Sequence, residues 1–219
     1  MEIEVREIEE KDCEQITSLF IDVFKKPMGK EDKGSKHFFW EYINNPFGKV
    51  KVALAFDENK LIGANCLLPI KLNIMNKDVK ATLSFDSMIH PDYQKKGLFT
   101  NLSIRLYNYV TNKNFFITYG FPNTNSYYVF NKKLNWKEIG KLPLLIKPLK
   151  TYTFINRKIK NNFISRTIAC IFDFFLKINF SLLNIKNKDN IKEIDFFDDS
   201  FTELWRSVRN NFNITLIRD

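Results

Sequence analysis

The residues best placed to do chemistry lie in one stretch, Thr82 to Asn112, TLSFDSMIHPDYQKKGLFTNLSIRLYNYVTN. Thr82 to Ile89 alternates and carries Phe85, Met88 and Ile89, the pattern of a half-buried strand. Asp86 stands inside it, and an acid there needs a reason, a structural partner or a proton to move. Histidine is the residue type suited to moving a proton near neutral pH, and His90 precedes Pro91, which breaks the strand. Gln94-Lys95-Lys96-Gly97-Leu98-Phe99 is then a short basic loop with one glycine. From Leu98 the apolar residues Leu98, Leu102, Ile104, Leu106 and Tyr109 largely recur at helical spacing. A strand, a glycine turn and a helix aim free backbone N–H groups and a positive dipole end at one place. That is a site for a phosphate or pyrophosphate. The same order also fits an ordinary β-turn-α connection in an α/β domain.

The elements around this stretch must position it. Ile3 to Ile8 reads as an opening strand, and Asp12 as the cap of a helix running to about Phe24, with Ile16, Leu19, Phe20 and Val23 on one face. Pro27-Met28-Gly29-Lys30 ends that helix. His37 to Gly48 is an aromatic segment, read as a short helix ending at the Asn44-Asn45-Pro46 turn, with Phe39 and Trp40 as core anchors. Lys51–Asp57 and Lys60–Leu68 form a hairpin around Glu58-Asn59, closed by Pro69. Ile70 to Lys80 is more polar. After the central stretch come a strand over Phe115–Gly120 and a helix over Asn125–Leu134, capped by Asn123 or Asn125. Trp136–Leu145 gives one or two closing strands interrupted by Gly140 and Pro143.

Gln94 to Phe99, the strand before them with its Ile-His-Pro-Asp-Tyr exit and the amphipathic helix after them resemble the acyl-CoA-binding core of the GNAT N-acetyltransferase superfamily. Its signature is a strand, Gln/Arg-x-x-Gly-x-Gly/Ala, then a helix. Phe99 departs from the small last residue, although its backbone amide is present whatever the side chain. The resemblance covers about residues 1–147 and is strongest from Asp86 to Trp136. It implies an α+β fold, a mixed central sheet with helices on both faces, followed here by a C-terminal helical extension. It also implies an acyltransferase that moves an acetyl group from acetyl-CoA, without a metal, to a small-molecule or peptide amine by direct attack in a ternary complex.

By the same resemblance, Met88 and Ile89 supply backbone groups to the pantetheine amides. Gln94, Lys95, Lys96, Gly97, Leu98, Phe99 and Thr100 hold the pyrophosphate end, and Asn125 joins the cofactor-binding set. The pantetheine arm is expected where the strand ending at Gly120 splays from the Asp86 strand. A carboxylate near that splay suits the deprotonation of an amine acceptor, which makes Asp86 the candidate base and His90 the other. The family's leaving-group tyrosine, aligned on Lys133 and Trp136, falls on Asn131, which hydrogen-bonds but cannot serve as the acid. Tyr128 is the preferred substitute, with Tyr127 and Tyr119 as alternatives and a packing role for Tyr128 equally open. The absent tyrosine keeps a second class of function in view, a non-catalytic acyl-CoA-binding module. The loop from Met28 to Phe47 and the segment after Tyr119 are expected to shape the acceptor pocket.

The bulk composition bounds the class. With 219 residues, 44% of them hydrophobic and 15% aromatic, a sizeable core is available. Three widely spaced cysteines, Cys13, Cys66 and Cys170, suggest reduced thiols, with neither a disulfide frame nor a zinc pattern. A charged start without a signal segment and no apolar run of the ~20 residues a bilayer needs point to a cytoplasmic protein. The net charge of +9 invites a nucleic-acid reading, but the lysines are interleaved with acids and no such signature appears. Nucleic acid is not expected as a partner, and a strongly salt-dependent affinity would mark that third reading.

Beyond Lys147 the character changes. Residues 148–190 form a basic and apolar extension with a polar linker at Asn184–Asn190. Phe163 to Leu183 has a membrane span's length but three internal charges. It reads as a helix packed on the domain or at a subunit contact, which leaves a homodimer open, ahead of a membrane-surface helix. Ile191-Lys-Glu-Ile-Asp-Phe-Phe-Asp198 echoes Val5-Arg-Glu-Ile-Glu-Glu-Lys-Asp12, and both precede helical patterns. Residues 191–219 are accordingly expected to open a second, truncated GNAT-like half.

Overall fold

The computed structural model describes residues 1–24, 35–143, 150–182, 194–212 and 214–217. They form two compact units, Met1–Glu138 with Asp198–Asp219, and Ile139–Phe197. The first unit is built on a mixed sheet in the order β1 (Glu2–Glu7), β2 (Lys51–Asp57), β3 (Lys60–Ile74), β4 (Lys77–Ile89), β5 (Ile117–Gly120). Neighbours run antiparallel except β4 and β5, which are parallel.

Both faces of the sheet are covered. On one lie α1 (Asp12–Phe24) and α2 (Ser35–Phe38), the latter continued by a wider π-type turn over Phe39–Ile43. Ile16, Leu19, Phe38 and Tyr42 are buried there against Val52, Leu54, Cys66 and Met88. On the other face α3 (Leu98–Asn112) packs Leu98, Leu102, Leu106 and Val110 on Ala53, Ile62, Leu67 and Ile89. Four α3 residues spaced by four make the apolar stripe that this packing needs. Gly63 lies where the sheet and α3 come closest: a Cβ there would stand 2.9 Å from Ile89 Cδ1.

The β3–β4 hairpin is longer than the sequence suggests, because β3 does not stop at Pro69. The Pro69 carbonyl accepts the Asn45 side-chain amide at 2.9 Å, so this residue turns its missing N–H to the outer edge, past the end of β2. The hairpin turns at Met75-Asn76, both at positive φ, as a tight two-residue turn requires. The free half of the β3 edge takes β6 (Ile214–Leu216), paired antiparallel at Leu72–Ile74. Before β6, Asp198 caps α7 (Asp199–Val208), and Arg209 meets Asp78 at 2.5 Å.

Residues 137–143 form no strand, against the expectation of one or two; Ile139 is 95% exposed and Gly140 and Pro143 interrupt the run. In the second unit α5 (Tyr152–Ile159) packs on α6 (Asn162–Leu182), and Asp173 accepts both the backbone N–H and the hydroxyl of Thr151 at 2.9 Å. No helix among the described residues is long and apolar enough to cross a membrane. The Pro27–Lys30 helix stop, most of the first half of the Met28–Phe47 loop, the Asn184–Asn190 linker and the start of the Ile191–Asp198 echo lie outside the described residues.

β4 carries an extra residue. Cys66 pairs with Phe85 and Ala64 with Met88, so Asn65 alone faces both Asp86 and Ser87. This is a β-bulge, and Asp86 adopts φ +41° at it. The wholly buried Asn65 holds the bulge. Its Oδ1 accepts the Ser87 hydroxyl at 2.9 Å and its Nδ2 donates to Ser103 Oγ at 2.7 Å. Ser103 in turn donates its hydroxyl hydrogen bond to the Phe99 carbonyl at 2.8 Å, in the first turn of α3. A relay of three side chains therefore ties the bulge to the helix start. Asn65→Leu keeps the branched shape but removes the acceptor of the Ser87 hydroxyl and the donor to Ser103 Oγ, which should cost about 1–3 kcal/mol. Each kcal/mol lowers the melting temperature by roughly 2–4 °C, and an unchanged melting temperature would refute the relay's structural role.

Candidate active site

The parallel pair β4–β5 holds together only from Ala81–Ile117 to Ser84–Gly120. Thr82 and Thr118 share a hydroxyl hydrogen bond at 2.7 Å in this zipped part. At Gly120 a Cβ would stand 3.3 Å from Ser84 and from the Trp136 ring, so the strands touch there because the residue is glycine. Past Ser84, β4 runs on for five residues, Phe85 to Ile89, paired to β3 on one side and with no strand on the β5 side among the described residues. A cavity of about 740 Å³ opens between the parted strands.

The far end of the cavity is the turn before α3. Lys95 and Gly97 both adopt left-handed φ, 62° and 77°. Gly97 stands at the helix cap with no side-chain capping bond, and no acid occupies the first turn. The first backbone bond of the helix is donated by Asn101, to Gly97. The amides from Lys95 to Thr100 find no acceptor among the described residues, and Lys95 and Gly97 to Thr100 line the cavity at the positive end of the helix dipole. Gln94 fastens this loop to the end of β4 by donating to the Ile89 carbonyl at 2.9 Å. Lys96 turns outward, donating to the Asp92 carbonyl and lying over the Tyr93 ring.

Most of the residues singled out from the sequence meet here. Asp86, Met88 and Ile89 line the cavity from β4; Gln94, Lys95, Gly97, Leu98, Phe99 and Thr100 line it from the loop and α3; Asn125 lines it from α4 (Thr124–Tyr128). The Phe99 ring packs edge-on against Phe130 at 5.5 Å, which gives this departure from a small residue its own place in the packing. His90 orders the loop: its ring takes the Asp92 amide and faces Lys60 and Asp22.

The three tyrosines weighed as acids stand apart from the cavity lining. Tyr128 is 62% exposed. Tyr127 donates to Glu138, and that bond pushes its phenol above the ordinary value. Tyr119 packs beside Ile70, Leu72 and Ala81, and burial pushes its phenol up. Asn131 is half-buried in the turn after α4.

Two contacts at the site escaped the sequence reading. Asn65 could have been found as the lone amide in the apolar run Leu61–Leu68. Tyr42 could not, because nothing in FWEYI separates a hydrogen-bonded tyrosine from its packing neighbours. Its hydroxyl donates to Asp86 Oδ2 at 3.1 Å.

Parallel central strands that part beside a bare helix N-terminus define the GNAT acyltransferase fold. The profile of the acetyltransferase (GNAT) domain matches residues 4–139. The chain belongs to the GNAT acetyltransferase family, whose members use acetyl-CoA. Two crystal structures show the same fold. One is a predicted acetyltransferase from Clostridium acetobutylicum solved with acetyl-CoA (TM-score 0.53, 19% identity, 66% of this chain and 96% of that one). The other is a transcriptional regulator from Bacillus halodurans (TM-score 0.53, 12% identity, 67% of this chain and 100% of that one). No curated protein gave a significant match.

The donor set fits acetyl-CoA: unpaired amides and Lys95 for the pyrophosphate, and an open strand edge for the pantetheine amides. Among the described residues no group of three or more His, Cys, Asp or Glu could hold a metal ion. Gly97→Asp tests the fit, since Asp tolerates left-handed φ better than most residues yet sets a negative charge against the phosphates. Acetyl-CoA at about 100 times its dissociation constant should stabilise the wild type by roughly 2.7 kcal/mol. The variant should melt as one transition and lose this shift; an equal shift in both would overturn the assignment.

Proposed function

We propose that this chain transfers the acetyl group of acetyl-CoA to an amine, of a small molecule or a peptide, by direct attack in a ternary complex. The observation that carries the reading is the placement of Asp86. It is a carboxylate on the cavity wall, at a bulge beside the open edge of β4. An alkyl amine is protonated at neutral pH, with a pKa near 10.4 for a lysine side chain, and attacks only after losing a proton. Asp86 takes that proton, directly or through one water. The amine nitrogen then bonds to the carbonyl carbon, the carbon–sulfur bond breaks and the thiolate leaves, while the nitrogen's second proton passes to water. The backbone donors of β4, of the loop and of α3 orient the cosubstrate and change no bonds.

None of Tyr119, Tyr127 and Tyr128 lines the cavity, so we assign the thiolate's proton to water entering the open mouth. Tyr128, exposed and outside the cavity wall, is not given the role. Asn131 in the family's tyrosine position also favours a second reading, a binding module that holds acetyl-CoA without turnover.

A panel of an amino sugar, a polyamine, an aminoglycoside and a lysine peptide, each with acetyl-CoA and a thiol-release readout, separates the two. Turnover above the amine-free rate supports transfer; acetyl-CoA binding without turnover on any of the four supports the module. On the best acceptor, Asp86→Asn should lower kcat by roughly 10²–10⁴-fold, the usual share of a general base. The acetyl-CoA-induced melting shift should stay at the wild-type size. An undiminished kcat would remove Asp86 from the mechanism.

A further inference from the structure

We infer that Tyr42 is a positioning residue for Asp86: from beneath the sheet its hydroxyl fixes the direction in which the carboxylate faces the acceptor. The inference rests on the proposed role of Asp86 as base.

Tyr42 is wholly buried and does not line the cavity, so it reaches the reaction only through another side chain. Its ring is held edge-on between Phe38 (5.3 Å) and Phe85 (5.2 Å). Its carbonyl accepts the Val50 amide at 3.0 Å. Ring and backbone are therefore both fixed, and the hydroxyl ends 3.1 Å from Asp86 Oδ2. A buried phenol is tolerated when it has such a partner; phenylalanine would fill the same space without needing one.

The geometry at the other end gives the contact a purpose. Asp86 sits at φ +41°, a conformation that persists only where the surroundings over-determine it. The bulge is fastened from both faces, by Asn65 at Ser87 on the α3 side and by Tyr42 at Asp86 on the α1 side. The second contact holds the carboxylate against turning about χ1 where the backbone alone does not.

Among the described residues, the titratable groups facing this pair include the Cys66 thiol on β3, Glu41 on the same turn as Tyr42 and, at longer range, Asp12 at the start of α1. Burial, then the neighbouring Cys66 and Asp86, push the Tyr42 phenol well above its ordinary value. Burial likewise raises the Cys66 thiol. Both stay neutral, so Tyr42 is a donor and never a competing anion.

The test is a double-mutant cycle of Tyr42→Phe, Asp86→Asn and both together, measured with acetyl-CoA and the most active amine of the panel. Tyr42→Phe should lower kcat by roughly ten- to a hundredfold, as misplacing a reacting group does. Its KM for acetyl-CoA and its acetyl-CoA-induced melting shift should match the wild type. In the Asp86→Asn background the same change should lower kcat no further. A role in packing alone would instead give the same factor in both backgrounds, and that result, or an unchanged kcat in Tyr42→Phe, overturns the inference. Full activity in Asp86→Asn would show that the base assignment had failed. A panel without turnover would remove the transfer reading and this inference together.

Discussion

Between the pairs Cys66–Phe85 and Ala64–Met88, β4 has one residue more than β3, and the chemistry of the site depends on how that excess is held. In a regular strand, side chains alternate, so Asp86 would point away from the face that Phe85 occupies. The bulge breaks the alternation. Asp86 turns to the Tyr42 side with Phe85, while Ser87 turns to Asn65 and α3. A carboxylate is thereby aimed at one face of the cavity while the wall behind it is tied to the helix whose uncapped N-terminus meets the same cavity.

The second constraint is separation. β5 is only four residues long, and its last paired residue, Gly120, meets Ser84 at a distance no side chain would allow without movement. The strands are pressed together at one end so that they part at the other. What opens is backbone: the edge of β4 from Phe85 to Ile89 and the uncapped amides at the start of α3. Backbone donors left without partners are expensive to bury, but here they face a cavity that an elongated, polyanionic ligand can fill. Recognition of this kind asks little of side-chain identity, which is why a phenylalanine at position 99 is compatible with it.

That indifference explains what could be read in advance. The loop Gln94–Phe99 was legible because glycine at a left-handed helix cap leaves a mark in the sequence, and helical periodicity carried α1 and α3. The bulge was not legible, since it depends on registering β3 against β4 and no residue type announces it. The run of β3 through Pro69 was missed for a similar reason: a proline ends a strand only where its nitrogen faces a partner, and here it faces the edge. Tyr42 was hidden among aromatic neighbours, whose common purpose is packing. The acid candidates failed to converge because one turn of helix decides whether Tyr127 and Tyr128 face the cavity or solvent, and spacing alone does not set that rotation.

The pairing of β6 with β3 joins segments more than a hundred residues apart, Leu72–Ile74 with Ile214–Leu216. During synthesis the outer half of β3 is an open edge until the chain has passed the whole α5–α6 unit. Contacts of such sequence separation form late and slowly, and an exposed edge in the meantime is a template for pairing with another chain. Pro69, which offers that edge no N–H, and Lys71, which adds charge beside it, are the features that guard it while it waits.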